Sequence, residues 1–130
     1  MFADRFRTLM ETADLAAVED FYAPDALLDA NVPAWRFQRK GTREIAEQYA
    51  EWTAEGPYRI LGIREWTTPW GTVIESDQRE PSGDGEAYSR QLHVLFTEKD
   101  KVVRHVMYCT GPWDAETEAR QKAEAPMVEP

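Results

Sequence analysis

Polar and apolar residues alternate over most of the second half of the chain. Three runs show this alternation, Thr72–Glu80, Ala87–Thr97 and Lys101–Thr110, and loops at Pro81–Glu86 and Glu98–Asp100 separate them. A period of two residues is typical of a β-strand with one buried face, and strands joined by short loops pair antiparallel. The pattern therefore predicts a three-stranded antiparallel meander around which the other elements are arranged.

The first half of the chain contains three segments with the spacing of amphipathic helices. Apolar residues recur every three or four positions in Ala3–Glu11, Leu15–Tyr22 and Arg43–Thr53, as on the buried side of a helix. Asp14 and Thr42 stand just before the second and third segments, and both residue types are favoured as N-caps. We expect a helix at each segment.

Three further strands complete the predicted sheet. Ala26–Asn31 and Trp35–Arg39 flank a short turn that contains Pro33, and Tyr58–Thr67 precedes the meander. Helices gathered against one face of an antiparallel sheet define an α+β domain. A curved sheet that closes on its helices makes a cone, and the open end of a cone is a natural pocket.

Length and charge limit the functional classes. The 130 residues fit one domain, which we expect at residues 1–114, followed by a polar C-terminal tail at residues 115–130. The net charge is −9, whereas binding to a phosphate backbone needs a basic patch. No apolar run is long enough to cross a bilayer. We therefore expect no nucleic-acid partner and no membrane partner.

The cysteine content indicates the cellular compartment, and the absence of certain motifs bears on metals and cofactors. Cys109 is the single cysteine, which excludes an internal disulfide and fits a reducing cytoplasm. The sequence contains no CxxC, HExxH, GxGxxG or GxxxxGK motif. We expect a cytoplasmic protein with no metal and no cofactor.

Strand periodicity sorts the side chains of the last hairpin into two faces. If the hairpin turns at Lys99–Asp100, Val94 lies opposite His105 and Leu92 lies opposite Met107. This set is the more apolar, so we expect it to line the concave side of the sheet. The alternate face carries Gln91, His93, Leu95, Arg104, Val106 and Tyr108.

The preceding hairpin adds charged groups to the same face. If Glu80 lies opposite Ala87, Asp77 lies opposite Arg90, and Glu75 is diagonal to Arg90 within reach of a long side chain. These groups would share the apolar face with the histidine of the last strand. A slip of one residue in the register would move all of them to the outside.

Two interpretations of this polar cluster are open. It is either a satisfied group of ions without chemistry, or a pocket in which a carboxylate has a raised pKa and acts as an acid or base. His105 is either a hydrogen-bonded core residue or the group that transfers the proton, whereas His93 points away and is structural or at an interface. The candidate catalytic residues are His105, Glu75, Asp77 and Arg90, with Arg90 holding an anionic oxygen.

Three segments of the chain resemble a known superfamily. Phe21–Ala26, Gly41–Ala46 and Asp100–His105 resemble, in order and spacing, the NTF2-like superfamily and in particular its SnoaL-like branch. The resemblance covers Arg5 to about Asp114 and implies a cone made from a curved sheet and three helices, often in a homodimer. It also implies cyclase, isomerase or dehydratase chemistry in secondary metabolism.

Two well-known reactions of this superfamily are not retained. The general-base aspartate of ketosteroid isomerase falls on Ala30, its oxyanion tyrosine on Phe6 and its oxyanion aspartic acid on Leu92, so that reaction is rejected. One catalytic aspartate of limonene epoxide hydrolase falls on Glu75, which keeps the carboxylate. The partner arginine and the second aspartate fall on apolar residues, Val73 and Met107.

The first hairpin has two possible registers in this resemblance. With an insertion of one residue, Asn31 corresponds to the water-binding asparagine of the epoxide hydrolase, and Asp29 also faces inward. Without the insertion, Leu28 and Ala30 face inward instead. The predicted substrate-binding residues are Tyr88, Asn31, Asp29, Leu92, Val94, Met107 and Trp35.

Two functional hypotheses follow. The first is a cofactor-independent enzyme that performs acid–base chemistry on a hydrophobic, oxygenated small molecule. The alternative is a small-molecule-binding protein or a dimeric scaffold, in which Leu95, Val106, Tyr108 and Trp66 form the interface. An enzyme should have titrating groups inside a cavity of a few hundred Å³, whereas a scaffold should have a filled cone and a large apolar interface.

Overall fold

The computed structural model describes residues 2–129 of the chain. Within this range the helices are α1 (Phe2–Thr12), α2 (Leu15–Phe21), α3 (Thr42–Trp52) and α4 (Ala115–Glu124). The strands are β1 (Tyr22–Val32), β2 (Trp35–Lys40), β3 (Arg59–Thr68), β4 (Gly71–Ser82), β5 (Gly85–Glu98) and β6 (Lys101–Cys109). Every predicted helix and strand overlaps one of these elements.

The strands form one curved sheet in the order β2-β1-β6-β5-β4-β3. The meander of β4, β5 and β6 is antiparallel, as the alternation predicts. However, β1 and β6 run parallel, so the expectation of a purely antiparallel sheet is wrong. Hairpin patterns report only neighbours in sequence, and most of the chain separates the two strands of this pair.

The first three helices cover one face of the sheet and form the core with it. Their buried apolar residues recur at helical spacing, because only one side of each helix faces the sheet: Phe6, Leu9, Met10, Val18, Phe21, Ile45 and Tyr49. Burying each large apolar side chain contributes about 1.5–3 kcal/mol to the folded state. The sheet face that these helices cover is called the inner face.

Of the two predicted N-caps, one is confirmed. The Asp14 carboxylate accepts a hydrogen bond of 2.8 Å from the backbone N–H of Ala17. The N-cap of α3, by contrast, is Gly41 at a φ of +87°, and Thr42 is the first helical residue. A positive φ is accessible to glycine without a steric penalty, so the backbone turns at this residue and the helix begins one position earlier than a threonine cap would place it.

A β-bulge in β6 changes the register of the last hairpin. Its tip is as predicted, with Glu98 opposite Lys101. One extra residue, Val103, then shifts the pairing so that Leu95, not Val94, lies opposite His105. Since side chains alternate between faces, a shift of one residue moves a side chain across the sheet. The bulge therefore brings the residues at positions 93 and 105 to the same face.

The hairpin of β4 and β5 has the predicted register, with Asp77 opposite Arg90 and Glu80 opposite Ala87. The inner face nevertheless carries the alternate row of side chains. Its residues on β4, β5 and β6 include Thr72, Ile74, Ser76, Gln78, Glu80, Ala87, Ser89, Gln91, His93, Leu95, Val102, His105, Met107 and Cys109.

The C-terminal helix contacts the same hairpin from the other side. The two terminal guanidinium nitrogens of Arg79, Nη1 and Nη2, donate to the Glu118 carboxylate at 2.6 and 3.0 Å. Trp113 and Tyr88 exchange two backbone hydrogen bonds just before α4. Among residues 2–129, no helix is both long enough and apolar enough to span a membrane.

Candidate functional site

The predicted charged cluster exists, but it lies on the outer face of the sheet. Arg90 Nη2 is 3.4 Å from Glu75 Oε1, and the Tyr88 hydroxyl donates to Asp77 Oδ2 at 3.2 Å. The expectation that these groups share an apolar interior with His105 is therefore wrong. The register of β4 on β5 was inferred correctly, and the face on which these charged groups lie was not.

The physical reason lies in the composition of the two faces. Leu92 and Val94, predicted to line the concave side, belong to the outer face, and Leu92 is 40% exposed. The inner face instead buries polar side chains that hydrogen-bond to one another. Such pairing removes most of the cost of burying polar groups. Taking the row of side chains with more apolar residues as the interior therefore predicts the wrong face of the sheet.

The first hairpin adopts the register without the insertion. Leu28 and Ala30 face inward and are fully buried. The Asp29 carboxylate is 2% exposed on the other side, where Arg36 donates to both of its oxygens at 2.9 and 2.6 Å. These hydrogen bonds, partly opposed by burial, lower the pKa of Asp29. Asn31 donates to the backbone oxygen of Met107 at 3.1 Å.

These contacts correct the expectation for the first hairpin, since neither Asp29 nor Asn31 faces the interior. Trp35, also predicted to bind substrate, is 70% exposed at the start of β2. Of the predicted substrate-binding residues, only Met107 is both buried and on the inner face.

His105 is on the inner face as predicted, and both of its ring nitrogens are engaged. Nδ1 is 2.7 Å from the Tyr22 hydroxyl, and Nε2 is 2.6 Å from Nδ1 of His93. Burial lowers the pKa of His105 to about 3, and it lowers the pKa of His93 as well, with a further contribution from His105. Both imidazoles are therefore neutral at pH 7. The expectation that His93 points away from His105 is wrong because of the bulge at Val103.

The two histidines belong to a longer hydrogen-bonded series. At one end the hydroxyls of Tyr49 and Tyr22 are 3.0 Å apart. At the other end His93 Nε2 is 2.9 Å from Gln91 Oε1, and Gln91 Nε2 donates to Cys109 Sγ at 3.6 Å. We call this series the buried polar line; its members are Tyr49, Tyr22, His105, His93, Gln91 and Cys109.

The buried polar line ends at a cavity of about 140 Å³ between the ends of β1, β4, β6 and α3, which we call the end cavity. Its walls include Trp52, Tyr58, Glu80, Gln91, Met107 and Cys109. Typical ligand pockets measure about 300–1,000 Å³, but an apolar cavity of about 150 Å³ can hold benzene. The end cavity thus has room for about one six-membered ring.

Glu80 is the acidic group of the end cavity. Burial raises the pKa of this half-buried carboxyl group, and a hydrogen bond from Ser89 partly offsets the effect. Ser89 Oγ lies 3.2 Å from Glu80 Oε2 and is itself held by Gln78 Nε2 at 2.8 Å. Sequence reasoning missed Glu80 because it belongs to the row of β4 that was assigned to the outside.

Tyr58 and Cys109 are the other titrating groups of the cavity. Burial, and secondly the nearby Glu80 carboxylate, raises the pKa of Tyr58. Burial also raises the pKa of the Cys109 thiol, although the backbone N–H of Gly111 donates to its sulfur at 3.3 Å. All three groups are thus biased towards their protonated forms. In residues 2–129 no three His, Cys, Asp or Glu side chains are grouped to hold a metal ion.

Comparison with known proteins identifies the fold. No family profile matches the sequence, and no curated protein matches it. An NTF-2-like protein of unknown function from Burkholderia xenovorans superposes with a TM-score of 0.61 at 15% identity, over 98% of this chain and 92% of the other.

Two further solved structures have names that refer to a reaction. A candidate isomerase from Bacillus subtilis has a TM-score of 0.64 at 12% identity, covering 83% of each chain. A candidate polyketide cyclase from Sinorhizobium meliloti has a TM-score of 0.62 at 10% identity, covering 81% of this chain and 91% of the other. At these identities the likeness concerns the fold alone. The chain has an NTF2-like α+β fold, as the resemblance implies.

Proposed function

We propose that this protein is a cofactor-independent enzyme that moves a proton on a small carbonyl compound bound in the end cavity. The observation that supports this is Glu80, a half-buried carboxyl group with a raised pKa at the wall of a largely apolar cavity. A carboxyl group with a raised pKa holds its proton more readily than an ordinary carboxyl group and can both accept and return one, which is the requirement for general acid–base catalysis.

The chemistry assigned to the cavity is a proton shift next to a carbonyl group. The Glu80 carboxylate removes a proton from the carbon beside the carbonyl, and the electrons of the broken C–H bond form an enolate. The Tyr58 hydroxyl donates a hydrogen bond to the enolate oxygen, and Glu80 then returns the proton to another carbon. Acid–base catalysis of this kind typically contributes about 10²–10⁴-fold to a rate.

The shape of the cavity restricts the substrate to one ring or to one ring of a larger molecule. Trp52 and Met107 supply apolar walls, which favour a hydrophobic ring. Isomerase and cyclase names among the structural neighbours are the reason for placing the reaction in the isomerase or cyclase class. In this proposal Glu80 takes the acid–base role that the sequence pattern assigns to His105. The positions of the ketosteroid isomerase base and oxyanion tyrosine are Ala30 and Phe6 in this chain, so the proposed enolisation uses Glu80 and Tyr58 at other positions for these two roles.

Exchange of carbon-bound hydrogen in D₂O tests this proposal. The wild-type protein should accelerate deuterium incorporation beside the carbonyl of 2-cyclohexenone, followed by proton NMR. Glu80→Gln keeps the shape and removes the base, and it should lower the enzyme-dependent rate by about 100-fold or more. Glu98→Gln makes the same chemical change at an exposed position on the far hairpin tip and should leave the rate unchanged. Equal rates for Glu80→Gln and wild type would exclude Glu80 as the base.

A second candidate function, a dimeric scaffold, is favoured by the outer face. Leu92, Trp66 and Tyr108 are 40%, 48% and 55% exposed there, and exposed apolar patches commonly mark interaction sites. Leu95, which the sequence pattern assigns to such an interface, is fully buried instead. We propose that two copies of the chain form a homodimer through this face, an arrangement that is compatible with either function.

A further inference from the structure

The two histidines and the single cysteine of the chain all belong to the buried polar line. Tyr22, His93 and His105 are each at most 1% exposed, so solvent cannot satisfy their polar atoms. Every donor must therefore find its acceptor within the line. This requirement determines where each proton resides.

The positions of the protons follow from the Gln91 end. Gln91 Oε1 can only accept, so His93 Nε2 carries a proton and donates to it over 2.9 Å. In a neutral imidazole the other nitrogen then accepts, so His105 Nε2 donates to His93 Nδ1 over 2.6 Å. By the same logic the Tyr22 hydroxyl donates to His105 Nδ1, and the Tyr49 hydroxyl donates to Tyr22.

If the hydrogen bonds of the buried polar line were donated in the opposite direction, a buried hydroxyl would have no acceptor. If the Gln91 amide were turned over, every proton of the line would move to the other partner, and Tyr22 would donate to Tyr49. The Tyr49 hydroxyl, in a residue that is 1% exposed, would then have no acceptor among residues 2–129, since Tyr22 is its hydrogen-bond partner there. An unsatisfied buried hydroxyl is costly, so the first direction is favoured.

This direction has a consequence for the end cavity. The Gln91 amide is held with its oxygen towards His93, so its NH₂ group points to Cys109 at the cavity wall. The thiol is a weak acceptor, and the distance from Nε2 to Sγ is 3.6 Å. A ligand oxygen would be a better acceptor than this sulfur.

We propose that Gln91 donates a hydrogen bond to the carbonyl or enolate oxygen of the ligand in the end cavity, and that His93, His105 and Tyr22 are positioning residues that hold its amide in this orientation. The proposal rests on the proposed function, because it assigns the group that binds the substrate oxygen alongside Tyr58. It selects carbonyl compounds over hydrocarbons of the same size.

The first test reads the proton positions without any ligand. In protein labelled with ¹⁵N-histidine, long-range ¹H–¹⁵N correlation spectra at pH 7 should show both imidazoles neutral and protonated at Nε2. A proton on Nδ1 of His93 would mean that the amide presents its oxygen to the cavity, and it would overturn the proposal. In His105→Phe, His93 loses its fixed donor, and we expect signals from both of its tautomers.

The second test compares 2-cyclohexenone with cyclohexene, which has the same ring without the oxygen. In wild-type protein, the ketone should shift the side-chain amide signals of Gln91, and cyclohexene should not. Gln91→Met keeps the length of the side chain and removes the donor. The affinity of the ketone relative to cyclohexene should fall by at least about 5-fold in this variant, corresponding to one net hydrogen bond.

The outcomes separate this inference from the proposed function. If both rings bind wild type and Gln91→Met with the same ratio of affinities, the donor role of Gln91 is wrong and the cavity remains a ligand site. If neither ring binds the wild-type protein, the proposed ligand class of the cavity is wrong, and the donor role fails with it. In His105→Phe, cyclohexene should bind as in wild type, and the preference for the ketone should weaken.

Discussion

Acidification should destabilise the fold through the two buried histidines. Burial lowers the pKa of His105 from 6.5 to about 3 and also lowers that of His93. Below pH 6.5 the unfolded chain therefore binds protons that the folded chain cannot accept. The stability contributed by the neutral pair is fully present above pH 6.5 and is lost as the pH falls towards the folded-state pKa.

The size of this loss of stability follows from the difference in proton binding between the unfolded and folded states. One group that titrates near 6.5 only in the unfolded state changes the free energy of unfolding by about 1.4 kcal/mol per pH unit. At pH 6.5 a histidine of the unfolded chain is already half protonated, so between pH 6.5 and 4.5 each histidine costs about 2.3 kcal/mol and the pair costs about 5 kcal/mol. This loss is comparable to the total stability of many small domains, about 5–15 kcal/mol.

Other titrating groups change the free energy of unfolding in the opposite direction or over a different pH range. The raised pKa of Glu80 works in the opposite direction, since the folded state then binds a proton more readily than the unfolded chain. The carboxylates of Asp29 and Glu118 have lowered pKa values, so their contribution is lost only below about pH 4. The range from pH 4.5 to 6.5 therefore reports mainly on the histidines.

Urea unfolding followed by tryptophan fluorescence at several pH values measures this dependence. Wild type should lose about 5 kcal/mol between pH 6.5 and 4.5, and His105→Gln, which removes one titrating group, should lose about half as much. Glu80→Gln serves as the control for the opposing carboxyl group and should steepen the wild-type slope. A flat wild-type profile, or an unchanged slope in His105→Gln, would refute neutral burial of the pair.

Two further changes test the rim of the end cavity and the outer face. Gly111→Ala should cost about 1–3 kcal/mol in thermal or urea unfolding, because the φ is +76° and the new Cβ would lie 2.6 Å from Pro33 Cγ. The control Gly83→Ala, at a φ of +58° with open space around the new Cβ, should cost about 1 kcal/mol. Equal losses of stability in the two variants would argue against a clash with Pro33. Leu92→Glu should convert a dimer to a monomer in analytical ultracentrifugation, whereas Leu15→Glu on the exposed side of α2 should not; a wild-type monomer at high concentration would remove the proposed interface.

Local patterns in the sequence predicted most of the secondary structure. The period of two in the meander and the period near four in the first three helices come from the geometry of single elements, so they can be read without knowledge of the fold. The capping role of Asp14 depends on contacts within one turn. The register of β4 on β5 follows from the short loop between them.

Sequence reasoning reached only part of the candidate site. The grouping of Asp77 and Arg90 was predicted because it depends on one hairpin. Glu80 and Gln91 were placed on the outer face of the sheet although they lie on the inner face, because the face that becomes the interior is the one that the helices cover. The extra residue at Val103 has no local signature, yet it decides that His93 lies beside His105.

The amino-acid sequence alone specified the helices and strands of an α+β protein, since hydrophobic periodicity acts within each element, and the resemblance of three segments implied the NTF2-like fold. The buried polar line depended on the tertiary structure, because its central contact joins Tyr22 to His105 across 83 residues of chain. The packing of helices on the sheet also decided which face became the interior. Polar side chains could occupy that interior because residues distant in sequence satisfy their hydrogen bonds there, and no local pattern records such a match.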